Sequence, residues 1–442
     1  MIKRILLLLT VFTAFLLTES VAQQRVNITL DEAIKIALND NPTIRIAELE
    51  IQRQEYVKKE TKGNLLPFIT GNGSYDYNLQ NSVMFMPVDI FGPGTGGAMR
   101  MGFDHSFTGG FALSLPVYMP TIYKTLQLND QQMLAAVEAA RASEITLVNQ
   151  VKKAYFSILL AENSLEVIDK NIEYAEIVVK DTRNSFNQGI SSEYDLITAE
   201  VQLNNLRPTK ISTENSIRVT RLMLNMLLSL PIETILELEE QLYEYKDYVA
   251  DPYDFYVDLT GNTELRQIDI QKDILAKQFE IQRAQRYPNL SAIAQYNVYS
   301  QSNDLKIGHY QWKGSSLVGL QLNIPIFSGF TNTNKESQIR NNIRQLEKQR
   351  EYLEDNINVQ AQTSISNLVQ AKEQMLANES TRAQAQKGYS IAKMRYDVGA
   401  GTIVELNSAQ MALLQAYLNF SQSIYDYMSA LADYEEIIGR TE

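Results

Sequence analysis

One segment of this chain occurs twice. Phe186 to Leu196, FNQGISSEYDL, returns as Tyr396 to Leu406, YDVGAGTIVEL. Each copy has an aromatic residue three before a glycine (Gly189, Gly399) and an acid six after it (Asp195, Glu405), followed by Leu196 or Leu406 and Ala199 or Ala409. A duplication constrains architecture before local detail does, because whatever one copy builds the other must build again. A glycine that ends one helix, followed by a hydroxyl that caps the next, reads as the tip of a helical hairpin. Two tips are therefore predicted, near Gly189 and Gly399.

Other echoes extend the duplication. Asn41-Pro42-Thr43-Ile44-Arg45 pairs with Asn262-Thr263-Glu264-Leu265-Arg266, and Leu66-Pro67-Phe68-Ile69 with Tyr287-Pro288-Asn289-Leu290, at an offset of 221. Leu113-Ser114-Leu115-Pro116-Val117-Tyr118 pairs with Leu322-Asn323-Ile324-Pro325-Ile326-Phe327 at an offset of 209, so the first copy carries twelve extra residues, placed as a longer loop within 80–106. The domains that follow are a first repeat over 23–230 and a second over 262–442. Between them, residues 231–261 are acidic, Tyr-rich and without clear period, and are predicted to be a small excursion, the equatorial one, on the outside of the helices.

Helical patterning dominates. Long helices are predicted over 122–187, 192–228, 331–398 and 402–438, with Pro208 kinking or breaking the second. In the last, Leu406, Leu413, Tyr417, Phe420, Ile424, Tyr427, Leu431 and Tyr434 keep the three-and-four spacing of a coiled-coil seam. At ~1.5 Å per residue, the longest of these helices would span on the order of 100 Å, which implies an elongated object.

Four segments have period two instead. Strands are predicted at about 68–79, 107–117, 289–299 and 316–326. In the first, Ile69, Gly71, Gly73, Tyr75, Tyr77 and Leu79 alternate with Thr70, Asn72, Ser74, Asp76 and Asn78. One apolar and one polar face over roughly 9–11 residues suits a transmembrane barrel strand, although an ordinary half-buried sheet shows the same period. Four strands cannot close a barrel, and open edges are excluded from lipid because their backbone groups would be unpaired. Several chains must contribute.

Residues 1–22 carry a basic start (Lys3, Arg4), an apolar run and Ser20-Val21-Ala22 before Gln23, the pattern of a cleaved secretory signal. Its removal moves the net charge from −12 to −13, which argues against a nucleic-acid partner. With no cysteine, the chain has neither disulfides nor a thiolate metal site. The two histidines, His105 and His309, stand apart in loop sequence. No HExxH, GxSxG or Walker motif occurs, and Gly92 to Gly97 mimics a dinucleotide fingerprint without the strand and helix it needs. No catalytic constellation, metal site or cofactor is predicted, so the chain is not read as an enzyme.

Taken in order, Leu30-Asp31-Glu32-Ala33, Asn41-Pro42, Leu65-Leu66-Pro67, Leu227-Leu228-x-Leu230-Pro231, Leu322-x-Ile324-Pro325-Ile326-Phe327-Ser328-Gly329 and the two tips resemble the TolC-like outer membrane efflux protein family over essentially the whole mature chain. The resemblance implies a mainly α fold with a small transmembrane β part, made of two tandem repeats of long helical hairpin plus two strands. It implies a homotrimer whose twelve strands form one barrel in outer membrane lipid, continued by an α-helical periplasmic tunnel. The implied function is an efflux duct, passively conducting substrates delivered by a periplasmic adaptor protein and an inner-membrane pump. A periplasmic coiled-coil adaptor or structural protein without a channel is the alternative.

The resemblance also implies roles for the tips. Gly189, Ile190, Ser191, Gly399, Ala400 and Gly401 would meet the adaptor, and Glu405 with Asp195 would ring the pore as gate or selectivity groups. Asp195 and Tyr396 match a pair that closes the resting tip in the family, while Gly401 stands where a basic residue is usual and Ser408 where a second acid is. Ser192-x-x-Asp195 and Thr402-x-x-Glu405 are also capping boxes. Because Gly401-Thr402 replaces Ser191-Ser192, the second tip is expected to be the looser one.

Overall fold

The computed structural model describes residues 25–86, 97–247 and 255–440. The predicted signal and residues 92–96 of the glycine-rich stretch lie outside these. The chain forms β1 (Arg25–Ile28), α1 (Leu30–Asp40), α2 (Pro42–Gly63), β2 (Phe68–Tyr77), β3 (Val83–Met86), β4 (Gly97–Arg100), β5 (His105–Tyr118), α3 (Pro120–Asn187) and α4 (Glu193–Leu227). It continues with β6 (Ile235–Leu238), a 3-10 turn (Leu242–Asp247), α5 (Thr263–Ala284), β7 (Asn289–Ser302), β8 (Lys313–Asn323), α6 (Thr331–Asp397) and α7 (Ile403–Ile438), with a short 3-10 turn at Ile307–His309. Contacts divide it into two compact units. One takes residues up to Leu49, Val137–Gln267 and residues from Glu351 on, and the other Glu50–Ala136 and Ile268–Arg350. Each unit draws on both sequence repeats.

The first unit is helical and holds the main core. Its first helix starts with a capping box, in which Thr29 Oγ1 accepts from Glu32 N and Glu32 Oε2 accepts from Thr29 N at 3.0 Å. Tyr155, Phe156 and Ile158 of α3 are buried with Leu224 of α4 and Phe420, Ile424 and Tyr427 of α7. Six of the eight predicted seam positions on α7 are buried, with Tyr417 and Leu431 partly so. At about 1.5–3 kcal/mol per buried side chain, this seam rather than helix propensity holds the hairpins together. Helix α4 runs through Pro208 without interruption, so the predicted break does not occur.

Residues 231–247 are more deeply tied in than an excursion on the outside would be. β6 pairs in parallel with β1, Val26 opposite Leu236, and Leu236 and Leu242 are fully buried in the main core. Four-residue strands so far apart in sequence leave no period to read, which is why the pair is invisible in the sequence.

The duplication reappears as one hydrogen-bond device made twice. Asn41 caps α2, accepting from Thr43 N at 2.8 Å, while its Nδ2 donates to Leu227 O at the end of α4, also at 2.8 Å. Asn262 accepts from Leu265 N at 3.0 Å and donates to Ile437 O at the end of α7 at 2.7 Å. Both asparagines are buried, at 6% and 5% exposure. Each satisfies a helix end that would otherwise leave orphan groups in a dry site. The second copy adds a clasp: Arg141 Nη2 donates to Gly261 O and Gly439 O, and its Nη1 pairs with the buried Glu138 at 2.7 Å. Asn41→Ala and Asn262→Ala should each cost about 1–2 kcal/mol, read as a lower thermal unfolding midpoint; an unchanged midpoint in the double variant would contradict the device.

The second unit holds a four-stranded antiparallel sheet in the order β2-β5-β7-β8. Its register places directly opposed residues on one face: Ile69, Leu113, Ala294 and Val318 form one such row, and Leu115, Ala292 and Leu320 another. The opposite face carries Thr70, Asn72, Ser74, Gln295, Asn297, Ser315 and Gln321 by the same pairing. Val318 is 84% and Leu320 72% exposed, so the apolar face is uncovered. β8 ends at Asn323 instead of reaching 326, because Pro325 has no N–H for a ladder. β7 runs on to Ser302, and the additional loop of the first copy contains the small β3–β4 hairpin.

Aromatic rings gather where the strands meet the loops. Tyr75 lies 4.7 Å from Phe107, Tyr77 5.0 Å from His105, and Phe107 5.4 Å from Tyr310 and 6.3 Å from Trp312. At the helix-joined end stand Phe68, Tyr118, Tyr287, Phe327 and Phe330, all more than half exposed. Aromatic girdles at both rims of an apolar band are characteristic of transmembrane barrels.

Candidate functional site at the hairpin tips

Both tips belong to the first unit and are built alike. Helix α3 ends in a Schellman motif, with Ile190 N donating to Ser185 O at 2.9 Å and Gly189 N to Phe186 O at 2.8 Å around Gly189 at φ +74°. Helix α6 ends the same way, with Ala400 N to Arg395 O at 2.8 Å and Gly399 N to Tyr396 O at 3.0 Å around Gly399 at φ +75°. The left-handed backbone explains why glycine stands at both positions.

The next helices start on the two capping boxes. Ser192 Oγ accepts from Asp195 N at 3.2 Å, and Asp195 Oδ2 accepts from Ser192 N at 3.1 Å and from Ser192 Oγ at 2.7 Å. Thr402 Oγ1 accepts from Glu405 N at 3.2 Å, and Glu405 Oε2 from Thr402 N at 3.5 Å. Glu405 is about half exposed. Its weaker cap bond leaves a carboxylate that still faces solvent.

Other sequence-predicted residues are placed differently from the family pair. The Tyr396 hydroxyl lies 3.1 Å from Thr182 Oγ1, while the Asp195 carboxylate is taken up by its own cap, so no bond joins the two within the chain. Ile190 projects at 75% exposure and Ala400 is open as well, which leaves both tip ends available for contact.

One functional group escaped the sequence. Arg395 Nη2 donates to Ala400 O at 3.1 Å and lies 3.5 Å from Glu405 Oε2, so a cation from the preceding helix reaches the tip where Gly401 lacks one. Its counterpart in the first copy is Ser185, so the repeat gave no signal; a basic residue in the last turn of a helix is the only general cue. A Cβ on Gly401 would sit 3.1 Å from Arg395 Cβ and 3.2 Å from Tyr396 N. Close packing and the Arg395 bridge tie the second tip, while the first has the shorter cap bonds and an Arg183–Glu200 ion pair between its two helices.

The family model described as Outer membrane efflux protein matches residues 33–229 and 258–440. Outer membrane protein TolC of Vibrio cholerae is 22% identical over 346 residues, covering 75% of this chain and 76% of that protein. Alkaline protease secretion protein AprF of Pseudomonas aeruginosa is 22% identical over 429 residues, 95% of this chain and 86% of its own. Among solved structures, CusC, described as undergoing conformational changes on transmembrane channel formation, superposes with a TM-score of 0.71 at 17% identity, covering 93% and 92% of the two chains.

Proposed function

The chain belongs to the outer membrane efflux protein family, and on that premise we propose that three copies join their sheets into one twelve-stranded barrel and serve as the exit duct of a tripartite export system. It is an outer-membrane protein with helices extending into the periplasm. The observation that carries the reading is the sheet: a bare apolar face, a polar face opposite, and two edge strands, β2 and β8, without partners among the described residues. Lipid accepts the face but not the edges, and closure by further copies satisfies both. An adaptor without a channel would have no use for such a face.

In this reading the polar face lines the lumen and substrates pass without chemistry. The tips, with Ile190, Ser191 and Gly189 in one and Ala400, Gly401 and Gly399 in the other, dock the periplasmic adaptor, through which an inner-membrane pump delivers cargo. Glu405 and Asp195 act near the threefold axis, where carboxylate rings favour cations. Tyr396 positions the second tip through Thr182.

Two measurements test this. Reconstituted protein should conduct in planar bilayers, whereas release from membranes by salt alone, without detergent, would overturn the channel. At the tip, Glu405→Gln should lower cation preference and Arg395→Gln raise it, because Arg395 offsets part of the Glu405 charge. The ion pair is half exposed and contributes under about 1 kcal/mol of stability, so both variants should still assemble. Unchanged selectivity in assembled variants would remove Glu405 from the pore.

A further inference from the structure

The first unit holds a cavity of about 260 Å³. It opens among α3, α6, α7 and the 3-10 turn, and Tyr174, Tyr389 and Tyr417 line it, the first two rings 6.2 Å apart. Arg382 lines it too, its guanidinium 4.4 Å from the Phe420 ring and 5.6 Å from that of Tyr417. Among the described residues no carboxylate pairs with Arg382. The other cation on the wall, Lys170, is already held at 2.6 Å by Glu166, which keeps its ammonium protonated above the usual lysine range. The site thus presents a positive group oriented by aromatic faces but lacking an anion.

Gln410 supplies a complementary need. It is 2% exposed and lines the same cavity; its Nε2 donates to Asn171 O at 3.3 Å, and its Oε1 has no partner. A buried amide oxygen left without a donor is costly enough that native structures rarely keep one. The space decides the size class. A cavity of about 150 Å³ lined by apolar side chains holds benzene, so this one accommodates a single ring with two small polar substituents.

We infer that this cavity is a small-molecule site for a single-ring aromatic carboxylate bearing a hydroxyl or amino group. The carboxylate pairs with Arg382, whose planar fork suits it, the ring packs against the tyrosines, and the hydroxyl or amino hydrogen goes to Gln410 Oε1.

The test uses the full protein in mild detergent, with equilibrium dialysis of 4-hydroxybenzoate, benzoate and phenol. Saturable binding is expected for 4-hydroxybenzoate, weaker for benzoate, which lacks the donor, and weakest for phenol, which lacks the anion. Arg382→Gln should weaken 4-hydroxybenzoate roughly tenfold or more. Gln410→Leu should weaken 4-hydroxybenzoate while leaving benzoate unchanged, a difference that misfolding would not produce. No saturable binding of any probe, as when the cavity seats a side chain of a docked protein, overturns the inference. So does 4-hydroxybenzoate affinity that is equal in wild type and both variants.

Discussion

Gly110→Ala is expected to abolish assembly in the outer membrane, whereas Gly73→Ala should leave it intact. Gly110 lies opposite Asn297 in the central β5–β7 pair. A Cβ there would overlap Asn297 Oδ1 and stand 2.5 Å from Tyr296 O and 3.0 Å from Asn297 Cα. The asparagine side chain could swing away; the Tyr296 carbonyl cannot without opening the ladder. Overpacking of this kind costs about 1–3 kcal/mol per site, and in a trimer it would act three times on one closed barrel. Gly73, on β2, has nothing within 4 Å of its built Cβ. The readout is the yield of detergent-extracted oligomer from outer membranes. Wild-type yield from Gly110→Ala would show that the β5–β7 register is wrong.

The second large effect concerns which face meets lipid. Val318→Lys should prevent stable insertion, while Ser315→Lys, on the same strand but the opposite face, should be tolerated. Val318 shares its row with Ala294, Leu113 and Ile69, and a lysine ammonium near the middle of the hydrocarbon layer costs about 2–4 kcal/mol per copy. Ser315 pairs with Asn297 on the polar side, where the ammonium stays hydrated. Urea titration of protein folded into lipid vesicles measures the difference. Equal tolerance, or the reverse order, would turn the sheet inside out.

How much of this was legible in the sequence depended on repetition and period. The tip glycines showed because Gly189 and Gly399 each do a job few other residues do, in the same words twice. The strands showed because two differently solvated faces force alternation, which the register of Ile69 with Leu113 and Ala294 with Val318 reproduces. Arg395 did not show, since it acts through space on Ala400 and Glu405 and has no echo at Ser185. Nor did the β1–β6 pair, whose four-residue strands are separated by almost the whole first repeat. Tyr396 was found by its position relative to Gly399, yet its partner proved to be Thr182, on a helix of the other copy, because sequence spacing does not report which helices face each other.

In the closed barrel, β2 of one chain is expected to pair with β8 of the next. The chain has no cysteine, so introduced pairs report without background. Cysteines at Thr70, Asn72 or Ser74 on β2, each combined with Ser315, Leu317 or Gly319 on β8, sample the polar side of the seam in neighbouring registers, and a disulfide forms only where Cα atoms lie within about 7 Å. On oxidation in native membranes, one register is expected to yield a covalent trimer on denaturing gels, reversed by reductant. Monomers only, or ladders that stop at dimers in every combination, would contradict the twelve-stranded barrel.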